Sequence, residues 1–161
     1  EKGLHYLIDA FRQTSTKKRL VIAGGCSHSQ EYQAEIRQRC APDPRIVLTG
    51  FVQGRELEEL YSNAWLFVLP SDVEGMALSL LEAMSYGNCC LVSDIPENTE
   101  VVGEHAYTFR KGNTPDLKGK LEYLLEHPVD VERMKEQSSD YICARYNWDE
   151  VVDKTLQLYR G

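Results

Sequence analysis

Short apolar runs alternate with helix-like segments along the chain, and this alternation limits the possible folds more than any other feature. The runs are rich in Val, Ile and Leu, and glycine or proline ends most of them. The predicted strands cover residues 19–23, 45–49, 65–69 and 89–93, and a shorter run over 106–109 adds an edge strand. Apolar runs of this length indicate parallel strands that are buried on both faces. We therefore predict an α/β fold: a doubly wound, mostly parallel sheet with helices on both faces.

Apolar residues recur at helical spacing between these runs. The predicted helices cover residues 4–14, 30–40, 54–64, 76–85, 115–126, 129–142 and 148–159, and Gly87 follows the fourth as a carboxyl-terminal cap. The chain starts with a helix, whereas folds of this class start with a strand. We expect that strand to lie upstream of Glu1, so that residues 1–161 form one domain of a longer protein. Folds of this class bind ligands outside the carboxyl ends of their strands.

Charge and cysteine usage exclude several classes of partner. The formal net charge is −7, which disfavours nucleic acid and anionic membranes, and the basic triplet Lys17–Arg19 is expected to be a solvated turn. No apolar run approaches the roughly 20 residues that span a bilayer. The five cysteines include no C-x-x-C pair, so we expect reduced thiols and a cytoplasmic protein without a metal site.

The segment from Pro70 to Gly87 carries the most chemical information. A buried strand ends at Pro70 and a helix is predicted to start at Met76, so its free N–H groups and its dipole favour an anion. Glu74 precedes this helix and Glu82 lies roughly 9 Å further along it. Two carboxylates beside an anion site fit a sugar nucleotide, which offers both phosphates and hydroxyl donors. The spacing alone leaves open that Glu74 only complements the dipole and that Glu82 is merely solvated.

Several ordered motifs resemble family 4 glycosyltransferases, whose carboxyl-terminal domain is the donor-binding half of the GT-B fold. The pair Glu74 and Glu82, with seven residues between them, resembles the E-x7-E signature of this family. Further similarities lie in Glu1-Lys2-Gly3, in the strand and glycine turn over 20–25, in residues 46–52, in the loop over 93–102 and in Arg145-Tyr146-Asn147-Trp148. The resemblance covers nearly the whole chain.

The resemblance implies a role for each matching residue. Glu74 and Lys2 would be the catalytic pair, with Glu74 on sugar hydroxyls and Lys2 on the diphosphate. The donor-binding residues would be Gly75, Met76, Ala77 and Leu78 around the sugar and phosphates, Glu82 at the ribose, and Phe51 and Val52 at the base. It also implies sugar transfer with retention at the anomeric carbon and without a metal ion. The acceptor would be held by an amino-terminal domain outside this chain, and any contact with a membrane would be made by that domain. The fragment by itself would be inactive.

Departures from the family pattern leave alternatives open. Met76-Ala77 replaces a common Phe-Gly pair, and Cys89 stands where proline is frequent. As isolated apolar residues, Phe51 and Val52 would more often belong to the core. A GT-B-fold epimerase is a second enzymatic interpretation. A non-catalytic module kept for assembly is a third.

Overall fold

A computed structural model describes residues 2–25 and 30–146, together with Gln157. The described strands are β1 (Leu20–Ala23), β2 (Ile46–Gly50), β3 (Phe67–Leu69), β4 (Cys90–Ser93) and β5 (Tyr107–Phe109). Every strand pairing is parallel. The predicted strands are thus confirmed, with ends that differ by one or two residues.

Helices occupy the connections between the strands. They are α1 (Leu4–Arg12), α2 (Gln30–Cys40), α3 (Arg55–Ser62), α4 (Leu78–Ser85), α5 (Pro96–Val102), α6 (Thr114–Glu126) and α7 (Pro128–Arg145). Gly87 has a φ of 69° just past α4, as its predicted capping position requires. The predicted helix over 148–159 lies outside the described residues except for Gln157, which is helical.

Two predictions for the chain between β3 and β5 were wrong. Helix α4 begins at Leu78 instead of Met76, because Ala77 still has a non-helical backbone (φ −77°, ψ 86°). The stretch over 93–102, predicted to be a loop, contains α5. Pro96 stands in the first turn of α5, where a missing N–H costs nothing, and Gly103 ends the helix at a φ of 52°.

The described strands form two parallel sheets, β1–β2 and β3–β4–β5. In the larger sheet Leu69 pairs with Val92, so β3 and β4 end side by side. The chain that follows each strand therefore emerges at the same edge of the sheet. This arrangement brings the loop after β3 next to the start of α5.

Strand β4 is the centre of the core and is buried on both faces. Cys90 and Val92 pack with residues of α4, α5 and α7, whereas Leu91 packs with residues of α1 and α6. Alternate side chains of one strand thus contact helices on opposite faces, which is the packing of a doubly wound sheet. A third cluster joins Ile8 and Phe11 of α1 to α2 and β2, so α1 contributes to the cores of both sheets.

None of the described helices is long and apolar enough to span a membrane. The basic triplet Lys17–Arg19 is exposed, as expected, and the Lys18 ammonium lies 3.7 Å from the centre of the Trp65 ring. The cysteines Cys40, Cys89 and Cys90 are buried free thiols. Burial raises the pKa of the Cys89 thiol to about 12 and that of Cys90 well above its ordinary value.

Candidate functional site

The loop between β3 and α4 forms an open helix start at the carboxyl edge of the sheet. The side chains of Met76 and Leu78 are 59% and 60% exposed, and Gly75 is exposed as well. Ala77 precedes α4 and provides no side-chain hydrogen bond to it. The amide groups at the start of α4 therefore have no side-chain cap, as an anion site requires. Of the four predicted residues here, only Ala77 has a buried side chain.

Glu74 and Lys2 meet at this loop although 72 positions separate them in sequence. The Lys2 Nζ donates hydrogen bonds to Glu74 Oε1 at 2.8 Å and to Oε2 at 3.0 Å. The Glu74 side chain is only 9% exposed, whereas that of Lys2 is 60% exposed. The carboxylate is thus held in place while the ammonium still reaches solvent. The structure brings the two predicted catalytic residues into direct contact.

A close backbone approach places Lys2 beside the loop. Gly3 starts α1 in the left-handed region, with a φ of 62°. A Cβ at this position would lie 1.9 Å from the carbonyl oxygen of Pro70. Only glycine fits here, because both the backbone angle and the contact exclude a side chain. The glycine of the Glu1-Lys2-Gly3 motif therefore lets α1 dock against the end of β3.

Glu82 lies on the exposed face of α4 and contacts a residue that the sequence analysis missed. The Tyr61 hydroxyl of α3 donates a hydrogen bond to Glu82 Oε2 at 3.0 Å. Burial, and then this hydrogen bond, raise the pKa of Tyr61 well above its ordinary value, so the phenol stays a donor at neutral pH. The Tyr61 ring also stacks on Tyr86 with centroids 5.4 Å apart. Glu82 is therefore oriented by a neighbour rather than simply solvated.

Phe51 and Val52 follow β2 and differ in exposure. Phe51 is 75% exposed, which rules out a core position for its ring. Val52 is half-buried and lines a shallow cavity of about 480 Å³. The other lining residues are Thr49, Glu56, Glu59, Leu60 and Asn63. Among the described residues, no hydrogen bond joins this cavity to Glu74 or Glu82.

Ser71 is the second residue that the sequence analysis missed. Its hydroxyl donates a hydrogen bond to Glu74 Oε1 at 2.6 Å, and the residue is completely buried. A serine directly after a strand-ending proline, three positions before a glutamate, was the available signal. Short polar side chains at such positions commonly bond to nearby groups of the same turn.

Comparisons with known proteins find relatives that match nearly the whole chain. The family model for glycosyl transferases group 1 matches residues 1–141. An uncharacterized glycosyltransferase of Methanocaldococcus jannaschii is 26% identical over 165 residues, covering 99% of this chain and 42% of that protein. Alpha-D-kanosaminyltransferase of Streptomyces kanamyceticus is 27% identical with the same coverage. The chain thus spans less than half the length of these curated relatives.

The structural likeness is close and extends over almost the whole chain. The crystal structure of Anabaena HepE in complex with UDP and glucose matches with a TM-score of 0.90 at 19% identity. The match covers 99% of this chain and 45% of that one. At this identity the likeness shows the fold, and it confirms the predicted Rossmann-like half of GT-B. Together with the family model, which covers all described elements up to Tyr141, it leads to one conclusion: the chain belongs to the glycosyl transferases group 1 family.

Proposed function

We propose that this chain is the donor-binding domain of a retaining glycosyltransferase. It holds a nucleoside diphosphate sugar while an amino-terminal domain of the same protein presents an acceptor hydroxyl. The observation that carries the proposal is the Lys2–Glu74 pair at an open helix start, because it combines a cation for phosphate with a fixed acceptor for hydroxyls. The relatives support it: one is named a kanosaminyltransferase, and HepE was crystallised with UDP-glucose.

Glu74 binds the hydroxyls of the donor sugar, and Lys2 binds the diphosphate. The Glu74 carboxylate is almost removed from solvent, so each hydrogen bond from a sugar hydroxyl replaces little competing water. Lys2 retains its exposure and can turn from the carboxylate to an incoming phosphate. The amides of Gly75, Met76, Ala77 and Leu78 complete the anion site. A cation and amides near the diphosphate stabilise the charge that develops as it leaves.

Glu82 binds the ribose and the segment after β2 binds the base. The Tyr61 hydroxyl holds one oxygen of Glu82, so the other oxygen is free to accept from a ribose hydroxyl. Exposed Phe51 supplies an apolar surface for a base, beside the cavity that Val52 lines.

The reaction transfers the sugar from the diphosphate to an acceptor hydroxyl with retention at the anomeric carbon. The bond between the anomeric carbon and the phosphate oxygen breaks, and a bond to the acceptor oxygen forms on the same face. The leaving phosphate takes the acceptor proton, so the protein needs no nucleophile of its own. Its contribution is to orient the donor and to stabilise the departing charge. The free buried thiols support a reducing, cytoplasmic setting for this chemistry.

Titration calorimetry with UDP-glucose, GDP-glucose and ADP-glucose tests the proposal. We expect saturable binding of at least one of them, at an affinity that Glu74→Gln lowers about 10-fold or more. The reason is that hydrogen bonds to a charged group contribute about 1.5–3 kcal/mol each. The affinity for the matching nucleoside diphosphate should be kept or rise, because a neutral side chain no longer competes with the diphosphate for Lys2. Glu136→Gln is the control, since Glu136 is an exposed carboxylate on α7.

Two results would contradict the proposal. One is the lack of saturable binding of any sugar nucleotide to the full-length protein. The other is an unchanged affinity in Glu74→Gln. A protein that serves only as an assembly module would also keep its cellular function after this substitution.

A further inference from the structure

Behind the candidate site, a chain of buried polar groups runs from the start of α5 to Glu74. It consists of Asn98, Ser93, Ser71 and Glu74, and we call it the polar chain. Asn98, Ser93 and Ser71 each have no exposed surface. They come from three separate segments: the first turn of α5, the end of β4 and the loop after β3. The polar chain therefore links the ends of two neighbouring strands to the carboxylate.

The hydrogen bonds of the polar chain all point in one direction. Asn98 Nδ2 donates to Ser93 Oγ at 3.0 Å, and Ser93 Oγ donates to the carbonyl oxygen of Ser71 at 2.5 Å. Ser71 Oγ in turn donates to Glu74 Oε1 at 2.6 Å. Because an amide N–H can only donate, Asn98 leaves the Ser93 proton free to point towards Ser71. The hydrogen bond from Asn98 thus sets the direction in which the Ser93 hydroxyl donates.

The two oxygens of Glu74 differ as a result. Oε1 accepts from both Lys2 and Ser71, which uses its two lone pairs, whereas Oε2 accepts from no described residue other than Lys2. Oε2 thus has acceptor capacity left in the free protein, and it gains more when Lys2 turns to a phosphate. Ser71 would keep Oε1 in place during that change.

We propose that Ser71, Ser93 and Asn98 are positioning residues that hold Glu74 with Oε2 directed at the donor sugar. This proposal rests on the proposed function of Glu74. None of the three residues needs to touch the donor, since each acts through the next one. The expected consequence is specific: loss of the polar chain weakens contacts to the sugar and leaves contacts to the nucleotide unchanged.

The affinities for UDP-glucose and UDP, measured side by side on the full-length protein, test this. If the donor panel selects another base, that sugar nucleotide and its diphosphate replace them. We expect Ser71→Ala to lower the affinity for UDP-glucose about 10-fold and Ser93→Ala about 3- to 5-fold, since the former removes a hydrogen bond to a charged group. Affinity for UDP should stay within about twofold in both.

Ser138→Ala is the matched control. Ser138 is also completely buried, and its hydroxyl donates to a backbone carbonyl, that of Met84, at 3.3 Å, but it lies on α7 outside the polar chain. This variant should bind both ligands like the wild type. A fourth variant, Asn98→Asp, replaces the donor by an acceptor that draws the Ser93 proton away from Ser71. It should reproduce the selective loss even if Ser71→Ala folds poorly.

The double variant Ser71→Ala/Glu74→Gln should bind UDP-glucose no more weakly than Glu74→Gln alone, because both changes act on one carboxylate. An equal loss of UDP and UDP-glucose affinity, or full affinity in Ser71→Ala and Ser93→Ala, would overturn the positioning role. If Glu74→Gln itself weakens binding of UDP-glucose but not of UDP, these outcomes overturn the role of the polar chain and leave the proposed function standing. If Glu74→Gln shows no such selective loss, the proposed function fails first.

Discussion

Replacement of Gly3 by alanine should damage both the stability and the site, through one contact. The new Cβ would lie 1.9 Å from the Pro70 carbonyl oxygen, and real Cβ contacts essentially never fall below 3.0 Å. The start of α1 and the end of β3 must therefore move apart by about 1 Å. The Lys2–Glu74 hydrogen bonds of 2.8 and 3.0 Å would then lengthen beyond a useful distance.

The magnitude follows from two separate costs. A non-glycine residue in the left-handed region costs roughly 1–2 kcal/mol. Strain from a forced displacement adds about 1–3 kcal/mol. Gly3→Ala should thus lower the free energy of unfolding by roughly 2–5 kcal/mol, measured by urea unfolding of the purified protein.

Gly112→Ala separates the two costs. Gly112 also has a positive φ, of 68°, but its nearest neighbour to an added Cβ is the Tyr6 hydroxyl at an ordinary 3.5 Å. This control should lose only the roughly 1–2 kcal/mol of backbone strain and should bind UDP-glucose normally. If Gly3→Ala is no less stable than Gly112→Ala and binds the donor equally well, the close approach does not position Lys2, and the reasoning is refuted.

Two further predictions concern Tyr61 and Asp43. Tyr61→Phe removes the hydrogen bond to Glu82, so the affinities for UDP and UDP-glucose should both fall about 3- to 10-fold while their ratio stays constant. If calorimetry shows a loss of affinity for UDP-glucose but not for UDP, Glu82 does not bind the ribose. The Arg45 guanidinium lowers the pKa of Asp43 below its usual value of 3.8, chiefly through its side-chain hydrogen bond. The ionised carboxylate therefore stabilises the fold at neutral pH, and this stabilisation is lost as the pH falls below about 4. Asp43→Asn should therefore have a lower free energy of unfolding than the wild type at pH 7, and should lose less of it between about pH 4 and pH 2. If the two proteins lose the same amount over this pH range, the Asp43 carboxylate does not stabilise the fold.

The sequence was sufficient for the order of elements because apolar runs and their glycine or proline ends are local signals. Gly87, for example, marks the end of α4 through its backbone alone. Local signals fail where an element is short or lacks a capping side chain. Helix α5 has seven residues and starts with Pro-Glu-Asn-Thr, which resembles a loop. The start of α4 was misplaced by two residues because nothing in Gly75-Met76-Ala77 caps a helix.

The candidate site was predictable only in part. Glu74 and Glu82 could be found from their spacing around a helix start and from the family resemblance. Lys2 could be named from the same resemblance, but its contact with Glu74 could not be predicted, and neither could that of Tyr61 with Glu82, since both are tertiary contacts. Ser71 lies only three positions before Glu74, and its local hydrogen bond was missed. The contact of Lys2 depends on α1 docking against Pro70, and that of Tyr61 depends on how α3 packs against α4. Neither distance is encoded in a sequence pattern.

The ion pair between Lys2 and Glu74 has a consequence for selectivity among anions. An empty site with an unpaired lysine would attract any small phosphate, but here the ammonium already has a partner at 2.8 Å. Inorganic phosphate could take Lys2 only by leaving a nearly buried carboxylate without its cation. A sugar nucleotide supplies the phosphate and, at the same time, hydroxyls that satisfy Glu74. The free protein should therefore bind simple anions weakly. Only a ligand that carries both phosphate and hydroxyl groups can replace the Lys2–Glu74 ion pair and still leave both side chains with a partner.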